Sequence, residues 1–251
     1  MADSHPIAYA LTAALESRRL TTVFQPIWKA NGECWGFEAL SRFPNGSPPD
    51  AVWALAYRQG LAARLDRLAL TVAVETSQAI KGCLFLNVSP SCFQEVEFLA
   101  QLGDPDHIVW ELTESDTLCG KDIEGLRQLQ ARGYSIAMDD AGSGYSTLER
   151  LDTVQPNIVK VDRPLVNAWA RGEVAPLRRW VQAAQRIGAI VVAEGVEESR
   201  WVVPLADEGV QAMQGYALGG PMKAEHWVDR IESEYSPNSG GGGISTIFAR
   251  K

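Results

Sequence analysis

Six apolar runs in this chain each stop at a residue able to bind a cation or carry a charge. They are Phe37 before Glu38, Leu84-Phe85-Leu86 before Asn87, Val109-Trp110 before Glu111, Ile136-Ala137-Met138 before Asp139-Asp140, Ile158-Val159 before Lys160, and Val191-Val192-Ala193 before Glu194. A short β-rich run reads as a buried parallel strand. A charged residue where it stops sits at the strand's carboxyl end, where α/β barrels build their active sites. Acids converging on one rim call for cations. A single strand-end acid is most often a helix cap or a solvated loop residue. The pair Asp139-Asp140 says more, because adjacent carboxylates repel unless a positive charge lies between or beside them. Lys160 fits two roles at once, a stabilising partner for rim acids and a charge kept on by them.

Elements that place such residues can be traced along the chain. Ile7, Leu11, Ala14 and Leu15 have helical spacing over Pro6 to about Arg19, an opening amphipathic helix packed on the domain. Thr21 to Ile27 and Cys34 to Leu40 read as two strands joined across a turn at Asn31-Gly32, too short a link for a parallel pair. Residues 50–81 carry helix formers and the stripe Leu61, Leu65, Leu68 and Val72. Strands then fall near 84–88, 108–112, 134–138, 157–161, 189–193 and 211–216, alternating with helical segments. Eight strands favour closure, so the fold class is α/β: a modified (β/α)8 TIM-like barrel with an irregular, partly antiparallel first strand. The organisation expected is a helix over 1–20, a barrel over 21–235, and a flexible Gly-rich tail over 236–251.

Composition agrees and excludes alternatives. The 251 residues, 46% hydrophobic and 22% charged, match the size of one such barrel. With 31 acids against 23 Lys and Arg, a net charge of −8 argues against a broad surface for DNA or RNA. Cys34, Cys83, Cys92 and Cys119 lack zinc-like spacing, and no secretory leader precedes them; the expectation is reduced thiols in a cytoplasm. No stretch reaches the roughly 20 apolar residues of a membrane span. His5, His107 and His226 have no partners at ligand spacing, and Gly142 to Gly144 is no Walker loop, since no Gly-Lys-Ser or Gly-Lys-Thr follows.

Several ordered motifs go further. Phe24-Gln25-Pro26-Ile27, Glu38-Ala39-Leu40-Ser41-Arg42, Asn87-Val88-Ser89, Glu111-Leu112-Thr113-Glu114, Asp139 to Ser146, Lys160-Val161-Asp162, Ala193 to Glu197, and Gln214-Gly215-Tyr216 with Pro221 resemble the EAL phosphodiesterase family, which hydrolyses cyclic di-GMP. Any one is weak; together and in order, an accidental match is very unlikely. Hydrolysis of an anionic phosphodiester needs charge neutralisation, a deprotonated nucleophile and support for the leaving alkoxide, and two divalent ions supply all three. Mg²⁺ or Mn²⁺ prefers oxygen ligands, and the absence of His and Cys from the set argues against zinc.

The resemblance implies roles. Glu38, Asn87, Glu111 and Asp139 would hold one ion, and Asp139 with Asp140 and Glu194 a second. Lys160 would contact the attacking water and Glu194 is a candidate base, their division of labour left open. Arg42 would contact a phosphate, and Gln25, Leu40, Glu197, Gln214 and Pro221 would surround guanine and ribose-phosphate. Glu114, with Asp162, would act from behind the ligands, Glu114 steadying the loop Ala141 to Ser146. Ala141 stands where the family often has Phe, a departure from the family's pattern at the start of that loop. The resemblance further implies a homodimer, and the looser geometry of Ca²⁺ makes it an expected inhibitor. The alternative function is a catalytically silent cyclic di-GMP receptor or protein-interaction domain; hydrolysis of another phosphodiester in the same site is a third.

Overall fold

The computed structural model describes residues 4–113, 118–142 and 147–234. Helix α1 (Ser4–Ser17) precedes a hairpin of β1 (Thr21–Lys29) and β2 (Cys34–Arg42). Gly32, with φ of 89°, makes the turn that the Asn31-Gly32 pair foretold. Two helices follow, α2 (Pro49–Arg58) and α3 (Ala62–Thr76). The chain then alternates: β3 (Cys83–Val88), α4 (Val96–Ala100), β4 (Ile108–Leu112), α5 (Gly120–Ala131), β5 (Ser135–Ala141), α6 (Leu148–Val154), β6 (Ile158–Val161), α7 (Arg163–Ala170), α8 (Val174–Arg186), β7 (Ile190–Ala193), α9 (Val202–Asp207), β8 (Ala212–Met213) and α10 (Ala224–Glu234).

The strands close a barrel in the order β1 to β8. β1 runs antiparallel to both β2 and β8, while β2 through β8 pair in parallel. The expected irregular opening of the barrel is therefore present. Residues 50–81 are two helices with a break at Gly60, whose φ of 69° ends α2. The last strand is shorter than the span 211–216: Leu218 and Gly219 both donate to the Gly215 carbonyl, folding that stretch into a turn.

Inside the barrel Ile27, Phe85, Val109, Ala137, Ile158, Val192 and Ala212 form one apolar layer. Outside it, Phe37, Leu86, Trp110 and Ile136 pack under α3 and α5, and Met138, Val159, Val191 and Met213 under α7 and α8. Helix α1 lies against α2 and α3, burying Leu11 with Val52 and Leu65. No described helix is long and apolar enough to cross a membrane. The expected tail 236–251, Glu114 and residues 143–146 of the Gly-rich loop lie outside the described residues.

Candidate active site at the barrel mouth

Alternation along the strands builds the site directly on the apolar layer. Side chains two positions apart share a face. Two residues beyond Phe85, Val109, Ala137, Ile158, Val192 and Ala212 come Asn87, Glu111, Asp139, Lys160, Glu194 and Gln214. On β1, which runs the opposite way, Gln25 comes two residues before Ile27. Glu38 completes the ring, opposite Gln25 in the hairpin and two residues beyond Gly36. A side chain on Gly36 would strike the Cys83 backbone at 2.1 Å, so glycine lets β2 and β3 approach.

Lys160 is the centre. Fully buried, its Nζ stands 2.8 Å from Glu111 Oε1, 2.8 Å from Glu194 Oε1, 3.1 Å from Asp139 Oδ1 and 3.4 Å from Glu38 Oε2. Burial alone would lower its pKa, but the charges of Asp139, Glu111, Glu194 and Glu38 outweigh that and hold it well above the usual lysine value. Lys160 is thus a fixed positive charge.

Its acids are treated unequally. Burial works against the charge on Glu38, yet Lys160 and hydrogen bonds from Gln214 Nε2 at 2.7 Å and Asn87 Nδ2 at 3.0 Å prevail, and its pKa is lowered. Glu111 is fully buried and neither oxygen receives an aligned hydrogen bond, although Lys160 stands close. Burial drives its pKa well up despite Lys160, helped by Glu38 and Asp139. For Glu194 burial also leads, opposed by Lys160 and reinforced by Asp139 and Glu38, giving about 8.

Asp139 and Asp140 present a local puzzle, since neighbours on a strand face opposite ways. The β5–β6 register slips between Met138 and Ala141, and Asp140 adopts φ of 50°. This bulge turns both carboxylates to one side. As a result, oxygens of Glu38, Glu111 and Asp139 lie within 4.8 Å of one another, and so do those of Asp139, Asp140 and Glu194. Two metal-sized oxygen clusters share Asp139. In the deeper cluster Glu111 has the Lys160 charge beside it but no amide donor, and the all-oxygen donor set suits Mg²⁺ or Mn²⁺.

The remaining expected residues take varied positions. Gln25 donates to the Gly219 carbonyl at 3.2 Å, and Pro221 adjoins the bridge between Phe24 and Met222, so both edge the mouth beside β1. Leu40 is half-buried on β2, and Arg42 donates to the Ser41 carbonyl at 2.9 Å. Gln214, expected around the ligand, is buried and grips Glu38, with its own Oε1 lacking a hydrogen-bond partner. Gly215 permits this: a side chain there would meet the Val196 backbone at 2.2 Å. Asp162 caps α7 by accepting from Leu165 N at 3.0 Å. Glu197 is tied to Arg163 at 2.5 Å, a rim cation the sequence analysis did not name, although it directly follows Lys160-Val161-Asp162.

The molecule is a closed α/β barrel whose mouth gathers acids around one buried lysine. A family model described as EAL domain matches residues 8–221, and the chain belongs to that family. It is 29% identical over 248 residues to the bifunctional diguanylate cyclase/cyclic di-GMP phosphodiesterase MucR of Pseudomonas aeruginosa, covering 90% of this chain and 36% of that protein. A solved structure of the PaMucR phosphodiesterase in complex with c-di-GMP superposes with a TM-score of 0.76 at 28% identity, covering 88% of this chain and 99% of that one. Klebsiella pneumoniae BlrP1, solved as a calcium and c-di-GMP complex, gives 0.72 at 26% identity, covering 88% and 63%. The chain spans about a third of the length of the first curated relatives it matches.

Proposed function

We propose that this chain hydrolyses cyclic di-GMP to linear pGpG, using two divalent ions at the barrel mouth. The observation that carries the reading is the pair of oxygen clusters joined through Asp139 around the Lys160 charge. Glu38, Asn87, Glu111 and Asp139 hold the first ion in this reading, and Asp139, Asp140 and Glu194 the second, with Mg²⁺ or Mn²⁺ as the cofactor. Bound ions of this kind neutralise phosphate charge and lower the pKa of water.

The chain's own groups divide the rest of the work. Lys160, kept charged by its acids, orients and stabilises negative charge and is not a base. Glu194 is the candidate base: its carboxyl, raised to about 8 by burial without metal, becomes a carboxylate when a divalent ion binds beside it. Arg42 releases the Ser41 carbonyl to clasp a phosphate, a task suited to its planar fork. Gln25, Leu40 and Pro221 line the substrate's path. Glu197 joins them when its tie to Arg163 opens.

Purified protein incubated with cyclic di-GMP and Mg²⁺ or Mn²⁺, with an EDTA control, is expected to yield pGpG only with metal. Glu38→Ala and Asp139→Asn should each abolish turnover, and full activity in both would sink the assignment. Calcium is expected to bind and inhibit, so equal turnover with calcium and magnesium overturns that part. Tight binding without product would select the receptor function instead. We further propose a cytoplasmic homodimer, which sedimentation at working concentration tests.

A further inference from the structure

Among the described residues Asp66, Asp122 and Asp162 are buried carboxylates outside the cluster, and the last two cap helices. Asp66 on α3 is 3% exposed, on the same stripe as Ala69, Leu70 and Ala73. An acid among these apolar neighbours is tolerated only when hydrogen-bonded. Its two donors come from different elements: Trp53 Nε1 on α2, at 2.6 Å, and the Ser89 hydroxyl just beyond β3.

Both donors lead to the cluster. Ser89 is two residues past Asn87, where strand alternation would return it to the barrel interior. Its hydroxyl is instead turned to α3, so the Asp66 bond ends the alternation directly after Asn87, whose amide donates to Glu38. On the other side the Trp53 ring meets Phe43 edge-on at 5.2 Å, and Phe43 directly follows β2, the strand of Glu38. Asp66 thereby links the ends of the two strands whose side chains meet at the Asn87–Glu38 bond.

We propose that Asp66 is a positioning residue: through Ser89 and Trp53 it sets the ends of β3 and β2 so that Asn87 and Glu38 stand ready for a divalent cation. The proposal rests on the metal-binding reading of the site. Asp66→Ala would strand two part-buried donors and threaten folding, so the test falls on the donors. Mn²⁺ binding is measured directly by electron paramagnetic resonance, without substrate, on the whole chain, beside the melting temperature of each metal-free variant.

Ser89→Ala is expected to weaken Mn²⁺ binding by about 10-fold, the lower end of what losing a ligand's supporting partner costs. Ser89→Thr, which keeps the hydroxyl, should restore wild-type affinity, and Trp53→Phe should give a smaller loss. Unchanged Mn²⁺ affinity in Ser89→Ala, whatever its melting temperature, makes Asp66 a plain tie between helix and barrel and overturns the proposal. Failure of Ser89→Thr to restore affinity overturns it equally. A wild-type chain that binds no Mn²⁺ overturns the metal reading itself, and a Glu111→Gln control separates site binding from stray surface binding.

Discussion

Glu38 and Glu111 are carboxylates at two corners of one cluster, both buried and both beside Lys160. At the first corner Gln214 and Asn87 donate to Glu38 and its acidity is strengthened; at the second, Glu111 receives no aligned hydrogen bond and its acidity is weakened. The contrast shows that burial does not decide ionisation by itself. Amide donors and Lys160 together keep one acid charged and in place, while the other has the Lys160 charge beside it but no amide donor. Hydrogen-bond donors therefore decide the difference between two acids that share burial and a lysine.

Removing the charge shared by both corners should have the largest effect. Lys160→Met leaves four neighbouring carboxylates without their cation, and losing one partner of a buried ion pair costs about 3–5 kcal/mol. Metal-free Lys160→Met is therefore expected to melt well below wild type, and added Mg²⁺ should recover more of its melting temperature than it adds to wild type. Equal melting of the two metal-free proteins would remove Lys160 from the centre of this account.

A smaller effect separates the corners. Glu38→Gln turns an acceptor of two amide donors into a group that satisfies them poorly, at about 1–3 kcal/mol for a stranded buried partner. Glu111→Gln keeps the side chain's shape and strands no amide donor, so metal-free stability should fall less than in Glu38→Gln, while Mg²⁺ affinity drops. Denaturant unfolding with and without metal reads both. Equal destabilisation by the two changes would break the comparison.

A third effect is a dependence on pH. Glu194 is raised from 4.5 to about 8, so its folded form holds a proton more tightly than the unfolded chain does. The stability it lends is complete below pH 4.5 and is lost as pH rises toward 8. Glu38, lowered, has the opposite sign and contributes above pH 4.5. Across this window metal-free wild type should lose melting temperature relative to Glu194→Gln, and the gain from Mg²⁺ should grow as protons leave the site. A difference curve flat in pH would deny Glu194 its raised pKa.

Much of this could be read in the sequence, and particular residues show where reading stopped. The apolar runs ending at Asn87, Glu111, Lys160 and Glu194 placed those side chains on the interior face, because two-residue alternation is a local property of extended chain. The opening hairpin was legible for a similar reason, since Asn31-Gly32 suits a tight turn. The break between α2 and α3 and the short β8 were less so, being settled at Gly60 and Gly215 by backbone shape and by close contact with Val196. Asp66 carried a faint signal, an acid on an apolar helical stripe, but nothing local named Ser89 as its partner.

By itself, the sequence determined a barrel of short strands, the residue types at its mouth and a chemistry of oxygen ligands around a lysine. Only the tertiary structure decided that Gln214 would grip Glu38 across 176 residues, that Glu111 would meet Lys160 without an amide donor, and that a bulge with a left-handed Asp140 would bring two adjacent acids to one side. The physical reason is the range of the interactions. Alternation and turns are set by neighbouring residues, whereas barrel closure fixes which distant side chains meet and how much water remains between them.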